Sequence, residues 1–83
     1  MDTIARTPED IGTALRNARK AARLTQKGLA DRSGIWQETI SKIETGTGSA
    51  KLDTIFDLCA ALDLELHVSP RSKGANIALE DIL

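Results

Sequence analysis

Apolar residues in the first sixty positions recur at three- and four-residue intervals, the period of a helix with one face turned inward. Ile11, Leu15, Ala18 and Ala22 form the first such stripe. It opens at Thr7-Pro8-Glu9-Asp10, where Thr7 can cap, proline suits the first helical position and two acids favour the positive end of the dipole. The spacing predicts a helix from 8 to about 23. Thr25 caps the next, a short helix through Ser33 with Leu29 and Ala30 inward, and Gly34 stands where a left-handed residue ends it. A third helix follows from about Trp36 to Thr45, closed by Gly46. A fourth is capped by Ser49 and carries the stripe Leu52, Ile55, Phe56, Cys59 and Leu62.

After residue 63 the period changes. Leu64-Glu65-Leu66-His67-Val68-Ser69 alternates apolar and polar and stops at Pro70, the only strand signal in the chain. A lone strand leaves its backbone donors and acceptors unpaired, so it must find a second strand. The same strand of a second copy is the nearest source, which predicts a homodimer with Leu64, Leu66 and Val68 facing the shared core. The chain divides into an arm (1–7), a helical domain (8–63), a dimerisation strand (64–70) and a tail (71–83) bearing Ile77, Leu79, Ile82 and Leu83.

Composition narrows the chemistry. Eighty-three residues make one domain with a modest core. One cysteine, Cys59, and one histidine, His67, supply neither a disulfide framework nor a metal cluster, so no cofactor is expected. Cys59 lies on an apolar stripe and is most simply a small core residue. A free cysteine fits a reducing cytoplasm, and no apolar run approaches the roughly 20 residues a membrane span needs. A catalytic site needs convergent titratable groups in a pocket, and with one histidine, one cysteine, no tyrosine and little volume for a cleft no enzyme is expected.

Net charge is −1, but residues 1–52 carry nine Lys/Arg against six Asp/Glu, while residues 53–83 carry two against six. Arg16, Arg19, Lys20, Arg23 and Lys27 fall in one stretch without an acid. A solvated helix face explains such a run by itself; the asymmetry between halves keeps a polyanion partner in view.

Two short helices about a glycine turn, 25-TQKGLADRSGIWQETISKIETG-46, make a helix-turn-helix. Leu29, Ala30, Ile35, Ile40 and Ile43 are spaced to lock them together, leaving Gln37, Glu38, Ser41 and Lys42 outside. In this geometry that face lies in the major groove of DNA. Gln37 can read adenine, Lys42 guanine or a phosphate, and Glu38 a cytosine amino group. Glu38 can equally pair with Lys42 one turn on. Thr25, Gln26 and Lys27 stand at a helix N-terminus suited to phosphate, and Thr39 and Lys51 are further candidates for the DNA backbone. Trp36, the sole tryptophan, has two uses open to it: a contact to phosphate, sugar or thymine methyl, or a cover for the turn.

The pattern T-Q-x-x-L-A…S-G-x-x-Q-x-T-I-S-x-I-E-x-G, followed by LDTIFDLCAAL, resembles the Cro/lambda-repressor (Xre) helix-turn-helix family over residues 9–63. LELHVSPR further resembles its HipB-like antitoxin branch. The resemblance implies a mainly α, four- to five-helix lambda-repressor-like domain whose one C-terminal β-strand pairs across a homodimer. It implies a palindromic double-stranded operator, autorepression, and a HipA-like serine/threonine kinase toxin as partner. The acidic C-terminal half and the apolar-ended tail make Ile77, Leu79, Ile82 and Leu83 candidate toxin contacts, the alternative being a frayed terminus. By the same resemblance Gln26 is a phosphate contact and Glu44 a structural residue. The alternative is a stand-alone regulator with no toxin. The sequence departs from the pattern at Gly28, where a helix former is usual and glycine costs about 1 kcal/mol.

Overall fold

The computed structural model describes residues 3–71. Four helices follow one another: α1 (Pro8–Ala21), α2 (Gln26–Ser33), α3 (Gln37–Thr45) and α4 (Leu52–Ala61). No β-ladder occurs among the described residues.

Local chemistry sets most of the boundaries. Thr7 Oγ1 accepts from the Asp10 N–H at 3.0 Å, and Thr25 Oγ1 accepts from the Gly28 N–H at 2.9 Å. Each hydroxyl satisfies a donor that the first turn leaves open. Gly34 and Gly46 end α2 and α3 in the left-handed conformation, at φ 77° and 73°. Two expected boundaries shift. α1 stops at Ala21 because Arg23 turns left-handed at φ 60°, which leaves Ala22 exposed and outside the apolar face. Ser49 caps nothing: Gly48 turns the loop at φ 75°, and α4 opens after Lys51 with no side-chain cap.

The core gathers Leu15, Leu29, Ile40, Ile43, Ile55, Leu58, Cys59 and Leu62, with Ile11, Ala18, Ala30 and Ile35 packed around it. Leu58 takes a place that the periodicity assigned to Leu52 and Phe56, which are 65% and 51% exposed. α3 packs mainly on α1, and α2 braces α3 and α4. At the α1–α3 crossing Gly12 is buried, and a Cβ there would collide with the Ile43 carbonyl. The backbones meet directly, which fixes how far α3 stands out from the body.

Beyond α4 the chain turns at Asp63, left-handed at φ 59°, and Leu64 donates to the Cys59 carbonyl at 2.8 Å. Residues 65–71 then run beside residues 3–6, enclosing a groove that Ile11 also lines. Leu66 is half-exposed and Val68 wholly so. The tail positions Ile77, Leu79, Ile82 and Leu83 lie outside the described residues.

Candidate nucleic-acid interface

α3 divides its residues cleanly. Ile40, Ile43 and Glu44 are buried, whereas Gln37, Glu38 and Lys42 are exposed and Ser41 is partly so. The four side chains expected to read bases thus share the outer face of one nine-residue helix. None of them is needed to hold it in place.

What holds it is a buried charged pair. Arg19 of α1 presents Nε to Glu44 Oε2 at 2.7 Å and Nη2 to Oε1 at 2.9 Å, and Nη1 donates to the Leu24 carbonyl at 2.8 Å. Burial works against the charged form of Glu44. The hydrogen bonds from Arg19 and Gln26, with the positive charges of Arg19 and Arg16, outweigh it, so its carboxyl stays below the usual carboxylate range. The same hydrogen bond holds the Arg19 guanidinium above its ordinary value. Arg19 therefore leaves the cationic run that the sequence assigned to solvent. Its position, four residues after Leu15 and eight after Ile11, put it in phase with the apolar face, and that phase was the available signal.

Gln26 joins this cluster, its Nε2 donating to Glu44 Oε1 at 3.1 Å. A carboxylate only accepts, so the amide nitrogen must face Glu44, and its second N–H remains available at the start of α2. Thr25 spends its acceptor on the cap. Lys27 is exposed and paired with Asp31 at 3.2 Å. Across the outer face Lys42 Nζ lies 3.4 Å from Glu38 Oε1.

Trp36 is the N-cap of α3, makes no side-chain capping bond, and is 82% exposed. At that exposure most of the ring faces solvent. Thr39 and Lys42 line a shallow groove with Pro8, Ile11 and the loop 46–50. Lys51 stands exposed at the end of that loop. Gly28 falls in the first turn of α2 rather than mid-helix, and a Cβ on it would lie 3.3 Å from the capping Thr25 Oγ1. That approach is tight and sets strain on the cap against the helix propensity a side chain would add. Cys59 is buried, and burial raises its thiol pKa.

Two helices about a left-handed glycine, the second exposing a polar face, define a helix-turn-helix domain of the lambda-repressor type. The chain belongs to the helix-turn-helix family, a family of DNA-binding transcription regulators, whose pattern matches residues 15–68. It is 43% identical over 63 residues to the uncharacterized HTH-type transcriptional regulator y4dL of Sinorhizobium fredii, a match covering 76% of this chain and 32% of that protein. The chain thus spans about a third of that relative. Among solved structures, HipB bound to its O4 20mer superposes with a TM-score of 0.78 at 27% identity, covering 86% of this chain and all of that one. HipB in a complex with HipA, O2 and O3 gives 0.77 at 27% identity, again over 86% of this chain and the whole of that one. The restriction-modification controller protein C.AhdI of Aeromonas hydrophila gives 0.66 at 34%, over 70% of this chain and 88% of that one. No helix among the described residues is long and apolar enough to cross a membrane.

Proposed function

We propose that this chain is a sequence-specific DNA-binding repressor that reads a palindromic operator as a homodimer and serves as the antitoxin of a HipA-like kinase. The observation that carries the DNA reading is the outer face of α3. Gln37, Glu38, Ser41 and Lys42 stand free of the core on a helix clamped by Arg19 and Glu44. The N-terminal residues of such a helix reach base edges in the major groove. Gln26 directs its remaining amide N–H to a phosphate, with Thr25, Lys27, Thr39 and Lys51 beside the DNA backbone. Trp36 lays its ring on a sugar or thymine methyl, or donates its indole N–H to a phosphate.

Leu64, Leu66 and Val68 support the dimer. Their alternation needs a second strand, and the chain offers none among its described residues. A two-fold partner would set two α3 helices roughly 34 Å apart, one turn of DNA. The toxin role rests on the near-complete overlap with HipB, one of whose structures includes HipA. Ile77, Leu79, Ile82 and Leu83 are the proposed contacts to that partner. The match to C.AhdI favours a second reading, a regulator without a toxin.

A mobility shift on the promoter upstream of its own reading frame tests the DNA role. Gln37→Ala with Lys42→Ala should abolish the shift and leave the dimer intact; undiminished binding would refute the reading face. Co-expression with the adjacent reading frame tests the toxin role. Co-purification of a kinase supports it, and a promoter-bound dimer with no such partner favours the stand-alone regulator.

A further inference from the structure

The helix-turn-helix brings three cations to its surface, and each is engaged. Lys27 pairs with Asp31 at 3.2 Å, Arg32 Nη1 donates to the Ala61 carbonyl at 3.4 Å, and Lys42 pairs with Glu38 at 3.4 Å. The last pair differs from the others in its place. It lies on the outer face of α3, with Gln37 and Ser41 alongside, and both side chains are well exposed at 81% and 62%. An anion in the middle of a surface meant for DNA weakens attraction to every phosphate, so its presence requires a use.

The major-groove edges of a C·G pair supply one. Cytosine offers its N4 amino donor, and guanine its O6 and N7 acceptors. These are the complements of a carboxylate and an ammonium. Residues four apart on a helix have Cβ atoms about 5–6 Å apart, between one and two steps of a base stack rising 3.4 Å per nucleotide. We propose that Glu38 and Lys42 act as one composite reader of a cytosine and a neighbouring guanine. Exchanging the ion pair for DNA is favoured where the DNA provides a new partner for each member. On any other sequence, Lys42 reaches a phosphate only by leaving Glu38 unpaired against a polyanion; the exposed pair itself is weak, so the repulsion of that carboxylate is what disfavours the site. Glu38 thereby sets specificity by penalising wrong sites as well as by binding the right one. This rests on the DNA-reading assignment of α3 made above.

The test compares wild type, Glu38→Gln and Asp31→Asn on duplexes selected from a library with a randomised core, and on a random-sequence duplex over a series of salt concentrations. Wild type should select a cytosine and a guanine, at the same or neighbouring base pairs, in each half-site. Glu38→Gln should lose the cytosine preference by about tenfold and shift that position toward adenine, whose N6/N7 edge suits an amide. With Lys42 released to phosphate, its affinity for the random duplex should rise, and its salt slope should steepen by about 0.9. Asp31→Asn should raise affinity for the random duplex while selecting the wild-type motif. A Glu38→Gln protein, folded by circular dichroism, that selects the wild-type motif with the wild-type slope overturns the proposal. So does a wild-type motif lacking that cytosine and guanine, or an Asp31→Asn protein that loses the same base preference. A wild type that selects no motif at all overturns the DNA reading of α3 itself, an outcome distinct from the others.

Discussion

Glu44 receives two parallel hydrogen bonds from Arg19, 25 residues earlier in the chain, with side-chain exposures of only 2% and 10%. Breaking such a pair on one side strands a buried charge, which typically costs about 3–5 kcal/mol (about a fifth or more of a small domain's whole stability). Glu44→Ala and Arg19→Ala should each lower the urea midpoint severely. The double replacement Arg19→Leu with Glu44→Leu should recover most of the loss, because two apolar side chains leave no charge unpaired. Equal destabilisation by single and double variants would show that packing, rather than charge, holds α3 to α1.

The same pair gives stability a pH dependence. The Glu44 carboxyl is held below its ordinary value of 4.5, so the unfolded chain binds its proton more readily than the folded one. Its contribution is complete above that value and is lost as pH falls through the folded-state pKa. Thermal melts from pH 7 to 3 should therefore show wild type losing stability below about pH 4.5, with a shallower decline in Glu44→Gln. Parallel curves for the two proteins would remove Glu44 as the cause.

Two glycine-to-alanine changes should part company. At Gly12 the added methyl meets the Ile43 carbonyl, a backbone atom that cannot turn aside. The overpacking, about 1–3 kcal/mol and more where backbone must move, exceeds the roughly 1 kcal/mol gained in helix propensity. At Gly28 the neighbour is the capping hydroxyl at 3.3 Å, which can give slightly, so strain and propensity nearly cancel. Denaturant titrations of both variants measure the contrast. A Gly12→Ala protein as stable as wild type would mean the α1–α3 crossing is looser than the close approach implies.

Trp36 is the one intrinsic fluorophore of its kind in the chain and is 82% exposed. Operator DNA should quench its emission and shift it to the blue as the ring leaves water. Trp36→Ala should fold normally, since the ring covers nothing in the core, and should bind the operator about tenfold more weakly. Emission unchanged on saturation with DNA would remove the residue from the interface.

Val68 is fully exposed in the single chain. Under the dimer reading, Val68→Asp should shift the protein to monomer by sedimentation equilibrium without lowering helix content. A dimer that survives the change would place its interface elsewhere, with the exposed Leu52 and Phe56 of α4 next to be tested.

The helices and most of their ends were legible because caps are local: a hydroxyl, a proline or a left-handed glycine acts within one turn, and Thr7, Thr25, Gly34 and Gly46 all behave so, whereas the end of α1 and the start of α4 were set by backbone turns at Arg23 and Gly48. Which side of an apolar stripe is covered was less legible, because that depends on partners distant in sequence. Leu52 and Phe56 obey the helical period yet face outward, while Leu58 lies inward. Arg19 looked like one cation among five until a carboxylate 25 residues away came to meet it. The outer face of α3 was readable from spacing alone, since a helix that buries Ile40 and Ile43 must present Gln37, Glu38, Ser41 and Lys42 elsewhere.

The direct meeting of Gly12 with the Ile43 backbone separates two kinds of information in this chain. The seat of α3 is written in Gly12, Arg19, Ile40, Ile43 and Glu44, while Gln37, Glu38 and Lys42 are exposed on its other face. Under the DNA reading of α3, exchanging Gln37, Glu38, Ser41 and Lys42 would change the address and leave that seat intact. By the same reading, the address of this domain could change long before its shape does.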